Sequence, residues 1–219
     1  MSREPAVVVP GNHDGVHLGH QALLSAGRDL ATIAMFFDPH PARVLAPDRA
    51  PPALTTAERR TELLLGLGAD RVHRQPFDAE FASLSPEHFV ERVLVEGLNA
   101  RALVVGPDFR FGVDRAGDVD TLETLGQKHG FDVTRVMPVE VEGERVSSTR
   151  IRSRLAEGDV DAATRLLGRA PDVLGTVVLG DQRGRTIGFP TANVSVPEAM
   201  VRPAGGVYAV VCTVDGVEY

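Results

Sequence analysis

Short apolar runs alternate with amphipathic segments through the first three quarters of the chain. The runs at residues 6–9, 31–37 and 100–106 are apolar on both faces of an extended strand, and residues 70–77 and 131–139 predict two further strands. The amphipathic segments predict helices over residues 18–30, 59–68, 87–98, 118–130, 148–158 and 159–168. Doubly apolar strands that alternate with helices are typical of a parallel sheet covered by helices on both sides.

Residues at the predicted helix ends support these boundaries. Thr55 and Glu58 have the spacing of a capping box ahead of one helix. Ser85 and Pro86 are preferred at the N-cap and in the first turn of the next helix, and Gly97 is expected to end it. In parallel sheets of this kind ligands bind beyond the carboxyl ends of the strands, so function is expected in the loops that follow the strands.

The sequence changes character after Pro171. Valine, threonine and glycine dominate from there on, no helical period is visible, and Asp215-Gly216 is a hairpin-turn signal. We therefore predict two domains, an α/β domain over residues 1–170 and an all-β piece over residues 171–219.

Composition narrows the class of protein. The chain has 219 residues, of which 43% are hydrophobic and 24% charged, as is usual for globular domains. A net charge of -7 argues against a broad nucleic-acid surface and against binding to an anionic membrane. The one cysteine, Cys212, lies in an apolar run, which predicts a buried strand residue and a reducing, cytoplasmic environment. The first residues show no long apolar stretch, so neither a signal peptide nor a membrane span is expected.

The segment GNHDGVHLGH, residues 11–20, follows the first strand and holds three histidines and three glycines. A metal site is one interpretation, because GNHD resembles a ligand motif of calcineurin-like metallophosphoesterases, but the Asp-x-His that those enzymes need upstream is missing. A second interpretation is structural, with histidines satisfied at a helix start. We favour a third, a phosphate site: His17 and His20 share one helical face, Gly19 lets a ligand approach the backbone, and the helix start offers free N–H groups.

A second candidate phosphate site is SSTRIR, residues 147–152. Its serines and threonine are N-cap residue types, and Arg150 and Arg152 bring positive charge to the same helix end. Taken alone, the segment is equally an ordinary capped helix with solvated arginines. The loops DPHP and GPDFRFG also follow predicted strands; alone, the first is a plain turn, and Phe109 and Phe111 of the second are equally core aromatics.

These stretches, taken in order, resemble the bacterial bifunctional riboflavin kinase/FAD synthetases. His17-Leu18-Gly19-His20 matches the H-x-G-H signature of the nucleotidylyltransferase superfamily. FFDPHPARVL, VVGPDFRFG, VSSTRIRSRLAEGDVDAATRLLGR and GRTIGFPTAN resemble further family motifs, so the resemblance covers essentially the whole chain. It implies a Rossmann-like α/β nucleotidylyltransferase domain with a parallel sheet, followed by an incomplete antiparallel β-barrel piece.

The resemblance implies that AMP passes from ATP to FMN, giving FAD and pyrophosphate, with Mg²⁺ arriving on the ATP phosphates. His17 and His20 would donate to the phosphates, and Arg150 or Arg152 would grip the departing pyrophosphate. The ATP contacts that it implies are Gly11, Asn12, Asp14, Gly15, Gly19, Ser147, Ser148, Thr149 and Arg152. The flavin contacts that it implies are Asp38, Pro39, His40, Pro41, Asp108, Phe109 and Arg110.

For the last motif, the resemblance implies an ATP and magnesium site of a riboflavin kinase. Its residues would be Gly180, Gly188, Pro190, Thr191 and Asn193, with Thr191 and Asn193 as the Mg²⁺ ligands. From the residues alone, a glycine-rich β-hairpin is the simpler interpretation. The family's barrel continues beyond the position of Tyr219, so we expect this chain by itself not to phosphorylate riboflavin.

One residue departs from the family: His13 stands where phenylalanine is usual, and its ring can titrate near neutrality. Two alternatives therefore stay open. A nucleotide- or flavin-binding protein with little turnover is favoured by His13 and the short C-terminal part. An H-x-G-H nucleotidylyltransferase for another cofactor precursor is disfavoured by DPHP and PTAN. The expected partners are ATP and FMN, with no nucleic acid and no membrane, and the expected state is a monomer or weak oligomer.

Overall fold

The computed structural model of the chain describes residues 4–27, 30–181, 183–186, 188, 191–214 and 216–218. Five strands form its central sheet: β1 (Ala6–Pro10), β2 (Ala31–Asp38), β3 (Arg71–Pro76), β4 (Ala100–Val105) and β5 (Asp132–Arg135). All neighbours pair in parallel, in the order β3-β2-β1-β4-β5. The predicted Rossmann-like parallel sheet is thereby confirmed.

Helices connect the strands. They are α1 (Leu18–Ser25), α2 (Pro41–Leu45), α3 (Ala57–Gly66), α4 (Ala79–Ala82), α5 (Pro86–His88), α6 (Val119–His129), α7 (Ser148–Ala156) and α8 (Val160–Leu167). A π-helix over Phe89–Gly97 continues α5, and the predicted N-cap, Ser85, accepts a hydrogen bond from the His88 N–H at 3.2 Å. The helix predicted over residues 18–30 is shorter, because it ends at Ser25.

The predicted cap of α3 is wrong by one residue. Thr56 is the N-cap, and its hydroxyl accepts from the Arg59 N–H at 3.1 Å. Thr55 is buried instead, where its hydroxyl accepts from the Gly15 N–H at 3.2 Å and lies 3.3 Å from a carboxylate oxygen of Asp14. Two adjacent threonines suit a cap equally well, and the tertiary contacts of the first one decide between them.

The sheet is buried on both sides, which explains its apolar strands. Side chains alternate along a strand, so Val8 packs on one face and Val7 and Val9 on the other. All three valines are almost fully buried, and Leu64 of α3 lies against the second face. Complete burial of such a side chain contributes about 1.5–3 kcal/mol.

The chain beyond α8 forms small antiparallel pairs. β8 (Thr176–Val178) pairs with β9 (Asn193–Ser195), and β10 (Thr213–Val214) pairs with β11 (Val217–Glu218). A similar pair, β6 (Glu140–Val141) and β7 (Glu144–Arg145), precedes α7. The short helix α9 (Arg183–Thr186) was not predicted.

For the C-terminal part, the sequence predicts a buried Cys212 and a hairpin turn at Asp215-Gly216. The prediction that Cys212 is buried is wrong, because this residue is exposed and lies outside the strands. β10 and β11 pair across the predicted hairpin turn, although Asp215 itself lies outside the described residues. Residues of the C-terminal part also contact the α/β part: the Ala53 N–H donates to the Ala199 carbonyl at 2.8 Å, and the Val201 N–H donates to the Ala53 carbonyl at 2.9 Å.

The sheet order brings the candidate loops to one edge. β1 lies between β2 and β4, so the carboxyl ends of these three parallel strands are neighbours. The loops that begin at Gly11, Pro39 and Gly106 therefore leave the sheet side by side. Within the described residues, no helix is both long and apolar enough to cross a membrane.

Candidate active site

The loop after β1 turns sharply to enter α1. His13 and Gly15 have φ values of 48° and 83°, in the left-handed region, and His17 is the N-cap of α1. At Gly19, a Cβ atom would lie 3.1 Å from the His17 ring and 3.9 Å from the Val146 carbonyl oxygen. Glycine therefore permits the close approach of the ring and of the backbone ahead of α7.

The three histidines of this loop are in ring contact. His17 and His20 stack with centroids 3.7 Å apart and planes at 15°, and His13 meets His20 edge-on at 5.0 Å. His13 Nε2 lies 2.9 Å from the Val9 carbonyl, so this nitrogen carries the proton and Nδ1 carries the lone pair. The Nδ1 atoms of all three rings are buried and have no hydrogen-bond partner among the described residues. Unsatisfied buried polar atoms in such a cluster indicate a place for a ligand.

Burial keeps these imidazoles neutral. It lowers the pKa of His13 to about 4, and it lowers the pKa of His17 to about 4 with the help of repulsion from His13. Burial, followed by repulsion from the other two histidines, holds the pKa of His20 well below its ordinary value. Each ring therefore carries one N–H and one lone pair at neutral pH, and the N–H of His13 is already used by the Val9 carbonyl.

Asp14 is part of a buried network. Its carboxylate accepts from the N–H groups of Leu54 at 3.0 Å and Thr55 at 3.1 Å. It also pairs with the guanidinium of Arg60 at 3.0 Å and with that of Arg152. Asp14 therefore holds the loop in shape and has its acceptor oxygens occupied by protein groups.

Arg60 is a residue of this network that the sequence analysis missed. It is buried, donates to the Asn12 carbonyl at 2.9 Å, and lies with its guanidinium carbon 4.9 Å from the centre of the Phe36 ring. Burial lowers its pKa, and the attraction of Asp14 acts in the opposite direction. The available signal was its position four residues before Leu64, on the apolar face of α3.

The start of α7 meets the opening loop. Ser147 caps the helix by accepting from the Arg150 N–H at 3.2 Å. The Ser148 hydroxyl donates to the Asp14 carbonyl at 2.8 Å, and Thr149 is exposed. The two candidate phosphate segments are therefore adjacent, and their helix N-termini share one region.

The two arginines of SSTRIR point to different partners. Arg150 pairs with Glu144 at 2.8 Å and donates to the Glu144 carbonyl at 3.0 Å, on the β6–β7 hairpin. Arg152 donates to the Pro52 carbonyl at 2.7 Å and to the carboxylate of Asp14. Arg152 is therefore the one that contacts the opening loop directly.

His40 links the opening loop to the loop after β2. Its Nδ1 accepts from the Ala42 N–H at 3.1 Å, so in the neutral ring Nε2 carries the proton. Nε2 lies 3.2 Å from the side-chain amide nitrogen of Asn12. Two donors cannot bond, so a protonated Nε2 requires the amide to be turned with its oxygen towards the ring. Burial lowers the pKa of His40, in agreement with a neutral ring. The peptide bond between Asp38 and Pro39 is cis, and Pro41 is the first residue of α2.

The remaining charged residues of the flavin-side loops form ion pairs. Asp38 accepts from Arg74 at 2.6 Å, and Arg110 pairs with Asp118 at 3.2 Å. Asp108 accepts from Arg145 at 2.9 Å, and this bond lowers the pKa of its carboxyl.

Phe109 and Phe111 stack at 5.6 Å. Phe111 is buried in the core, and Phe109 is partly buried against it, so Phe109 is the ring left partly open to a ligand.

Two further arginines escaped the sequence analysis. Arg145 lies two residues before the SSTRIR segment, pairs with Asp108 of the loop after β4 at 2.9 Å, and contributes by its charge to the lowered pKa of His17. Arg169 donates to the Gly15 carbonyl at 2.9 Å and so ties the end of the α/β part to the opening loop. No local pattern distinguishes either of them from a solvated arginine.

The structure brings together only part of the expected kinase residues. Gly180 lies against Asn193, since a Cβ on this glycine would overlap the Asn193 side-chain amide. Gly188 has a φ of 80°, Thr191 is exposed, and Pro190 lies outside the described residues. A search of the described residues finds no group of three or more His, Cys, Asp or Glu side chains that could hold a metal ion.

Known proteins resemble this chain over its whole length. A family model for FAD synthetase matches residues 1–150, and one for riboflavin kinase matches residues 167–219. The bifunctional riboflavin kinase/FMN adenylyltransferase of Escherichia coli (strain K12) is 42% identical over 214 residues, which is 95% of this chain and 68% of that protein. The protein of the same description from Pseudomonas fluorescens is 43% identical over 216 residues, 96% of this chain and 69% of the other.

A solved structure has the same fold. The crystal structure described as a macrolide-efflux protein from Streptococcus pneumoniae superposes with a TM-score of 0.88 at 33% identity, over 100% of this chain and 73% of the other. The H-x-G-H loop and the start of α7 both lie within the segment that the FAD synthetase model matches. The chain belongs to the family of bifunctional riboflavin kinase/FMN adenylyltransferases, in which AMP is transferred from ATP to FMN.

Proposed function

We propose that FMN adenylylation takes place at the carboxyl edge of β1, between the histidine loop and the start of α7. The observation that carries this assignment is the stack of neutral imidazoles with unpartnered Nδ1 atoms beside that helix start. An oxygen of the FMN phosphate attacks the α-phosphorus of ATP, and the bond from that phosphorus to the bridging oxygen breaks. Pyrophosphate then leaves, and no strong base is needed because the attacking phosphate is already an anion.

His17 and His20 are the proposed catalytic residues. Their N–H groups donate to the phosphates of MgATP, where negative charge builds up in the transition state. A phosphate beside these rings also raises their pKa, because an opposite charge favours the protonated form. Gly19 and the backbone N–H groups at the start of α7 complete the proposed phosphate site. The loop on one side of this site is formed by Gly11, Asn12 and Gly15. The opposite side is formed by Ser147, Ser148 and Thr149.

Replacing His20 by alanine tests this assignment. Loss of one transition-state donor is expected to lower kcat for FAD formation by about 10²–10³-fold, and His17→Ala is expected to act alike. His88→Ala, at an exposed position of α5, is the control and should leave kcat unchanged. Near-normal FAD formation by His20→Ala would remove the histidines from the mechanism.

Arg152 is proposed as the residue that contacts the triphosphate. It reaches the opening loop, whereas Arg150 pairs with Glu144 on the β6–β7 hairpin. Arg152→Gln is expected to raise the KM for ATP by about tenfold or more, since a charge-assisted hydrogen bond is lost. Arg150→Gln is the matched variant and should raise the KM for ATP less than Arg152→Gln does. A larger rise in Arg150→Gln would assign the pyrophosphate contact to Arg150.

FMN is proposed to bind along the loops after β2 and β4, which flank the histidine loop. The isoalloxazine ring is expected to meet Phe109, and the loop residues Asp38, Pro39, His40, Pro41, Asp108 and Arg110 line this side. In the C-terminal part, Thr191 and Asn193 would hold Mg²⁺ through hydroxyl and amide oxygens, the ligand types that this ion prefers. Gly188, where a Cβ would meet no atom within 4 Å, would leave room for phosphates, and Gly180 would let the Asn193 side chain approach the backbone. We keep residues 1–170 and 171–219 as the proposed domains.

A further inference from the structure

The buried network around Asp14 contains more positive than negative charge. The side chains of Asp14, Arg60 and Arg152 are 4%, 7% and 15% exposed, and both guanidinium groups pair with the one carboxylate. The other acceptors of the two arginines are oxygens without charge, namely the carbonyls of Asn12, Thr55 and Pro52 and the hydroxyl of Thr55. Asp38 attracts Arg60 from farther away but is itself paired with Arg74.

Among the residues that the structure describes, no second carboxylate pairs with these arginines, so one guanidinium charge of this network is uncompensated. A buried charge without a partner is costly, so this arrangement favours the arrival of an anion. His40, His13 and His20 face the same charges, and repulsion from Arg60 contributes to the lowered pKa of each. The imidazoles are neutral and do not supply the missing negative charge.

The two arginines are held to different degrees. Arg60 donates to the Asn12 carbonyl at 2.9 Å and to the Thr55 carbonyl at 3.3 Å, and its guanidinium packs on the Phe36 ring. Within the described part of the chain, Arg152 has one acceptor besides Asp14, the Pro52 carbonyl at 2.7 Å. Arg152 is also the more exposed of the two and lies on α7, whose start meets the histidine loop. It can therefore leave Asp14 at a lower cost than Arg60 can.

We propose that Arg60 is a positioning residue for adenylyl transfer: it neutralises Asp14, so that Arg152 is free to exchange this carboxylate for the triphosphate of ATP. The inference rests on the proposed contact between Arg152 and ATP. Asp14 then acts as the partner of Arg152 in the absence of ATP and keeps the guanidinium beside the site. With Arg60 present, Asp14 stays paired after Arg152 moves, and no carboxylate is left buried without a cation.

Removal of Arg60 would make Asp14 a competitor of ATP. Arg152 would be its only cation, and departure of Arg152 would then leave a buried, unpaired carboxylate. Arg60→Gln is therefore expected to raise the KM for ATP in FAD formation by about tenfold or more, with kcat changed by less than about threefold. Arg60→Lys keeps the charge and should restore most of the affinity.

Arg59→Gln is the matched control. Arg59 lies one residue earlier on α3, pairs with Glu62 at 3.0 Å and with Asp172, and is partly exposed. It has no contact with Asp14, so its loss should leave the KM for ATP within about twofold of the unchanged chain.

The double variant Arg60→Gln/Asp14→Asn gives the decisive comparison. An amide oxygen at position 14 can still accept from the N–H groups of Leu54 and Thr55, but it no longer holds Arg152 by charge. The second substitution is therefore expected to bring the KM for ATP back towards that of the unchanged chain. If Arg60 were only a structural support, the second change would damage the site further, and a KM equal to or above that of Arg60→Gln would overturn the proposal.

Arg152→Gln separates the two levels of inference. If it leaves the KM for ATP unchanged, the proposed role of Arg152 is wrong. If it raises that KM while Arg60→Gln does not, the role of Arg152 stands and the role of Arg60 is refuted. Should Arg60→Gln fail to fold, Arg60→Met takes its place, because it keeps an unbranched side chain and removes the charge. The same rise of about tenfold or more in the KM for ATP is expected, and a folded Arg60→Met variant with an unchanged KM would overturn the proposal.

Discussion

The buried histidines should make the protein sensitive to acid, and His13 allows this to be measured. Its pKa is about 4 in the folded chain because it is fully buried, against an ordinary value of 6.5. The unfolded chain therefore takes up a proton first as the pH falls. Stability from this residue is fully present above pH 6.5 and is lost progressively between that pH and about 4.

The size of the effect follows from linkage. Between pH 7.5 and 5.5, an unfolded-state pKa of 6.5 and a folded-state pKa of about 4 correspond to a loss of about 1.3 kcal/mol of unfolding free energy for His13 alone. His17 adds a similar loss, since its pKa is lowered to about 4 as well. The unchanged chain should therefore lose more than about 2 kcal/mol over these two pH units.

His13→Phe removes the titrating group and keeps an aromatic ring. Urea unfolding at both pH values, followed by circular dichroism, should show a loss smaller by about 1.3 kcal/mol in the variant. The variant also loses the hydrogen bond to the Val9 carbonyl, but this cost is the same at both pH values and cancels in the difference. His88→Gln, at an exposed position, is the control. Equal losses in the unchanged chain and in His13→Phe would refute the reasoning.

Two further predictions concern the fold. Thr56→Ala should lower the unfolding free energy by about 1 kcal/mol through loss of the α3 cap. Thr55→Ala should lower it more, because it removes a buried hydroxyl that bonds Gly15 and Asp14. Urea titration compares the two variants, and a larger loss in Thr56→Ala would contradict this assignment of the cap. Limited proteolysis should cut after about residue 170 and leave a stable N-terminal fragment, since α8 ends at Leu167 and an exposed segment follows. Cleavage spread evenly along the chain would mean that the proposed domain division is wrong.

Local pattern alone determined the sheet and most of its helices. A run such as AVVVP is apolar on both faces of an extended strand. All of its side chains are buried only when other elements pack on both faces of the sheet. The phosphate-site interpretation of the histidine loop was equally local, because it needs only a strand end, a glycine and two histidines three residues apart. The structure keeps all of these together, with the rings of His17 and His20 in contact.

The partners of Asp14 were decided only by the tertiary structure. They come from residues 54–60, which begin 40 residues later in the sequence, and from Arg152, which lies 138 residues later. The sequence around Asp14 contains no pattern that predicts either partner. The sequence likewise could not decide whether Arg150 or Arg152 contacts the opening loop. Residues that are two positions apart on a helix, as Arg150 and Arg152 are, are separated by about 200° of rotation. Their side chains therefore point to nearly opposite sides of the helix. Which of them meets the opening loop depends on how α7 packs in the fold. That packing is set by the burial of Ile151 and Leu155 in one cluster with Leu54, which is remote along the chain, and with Leu166 and Leu167 of α8.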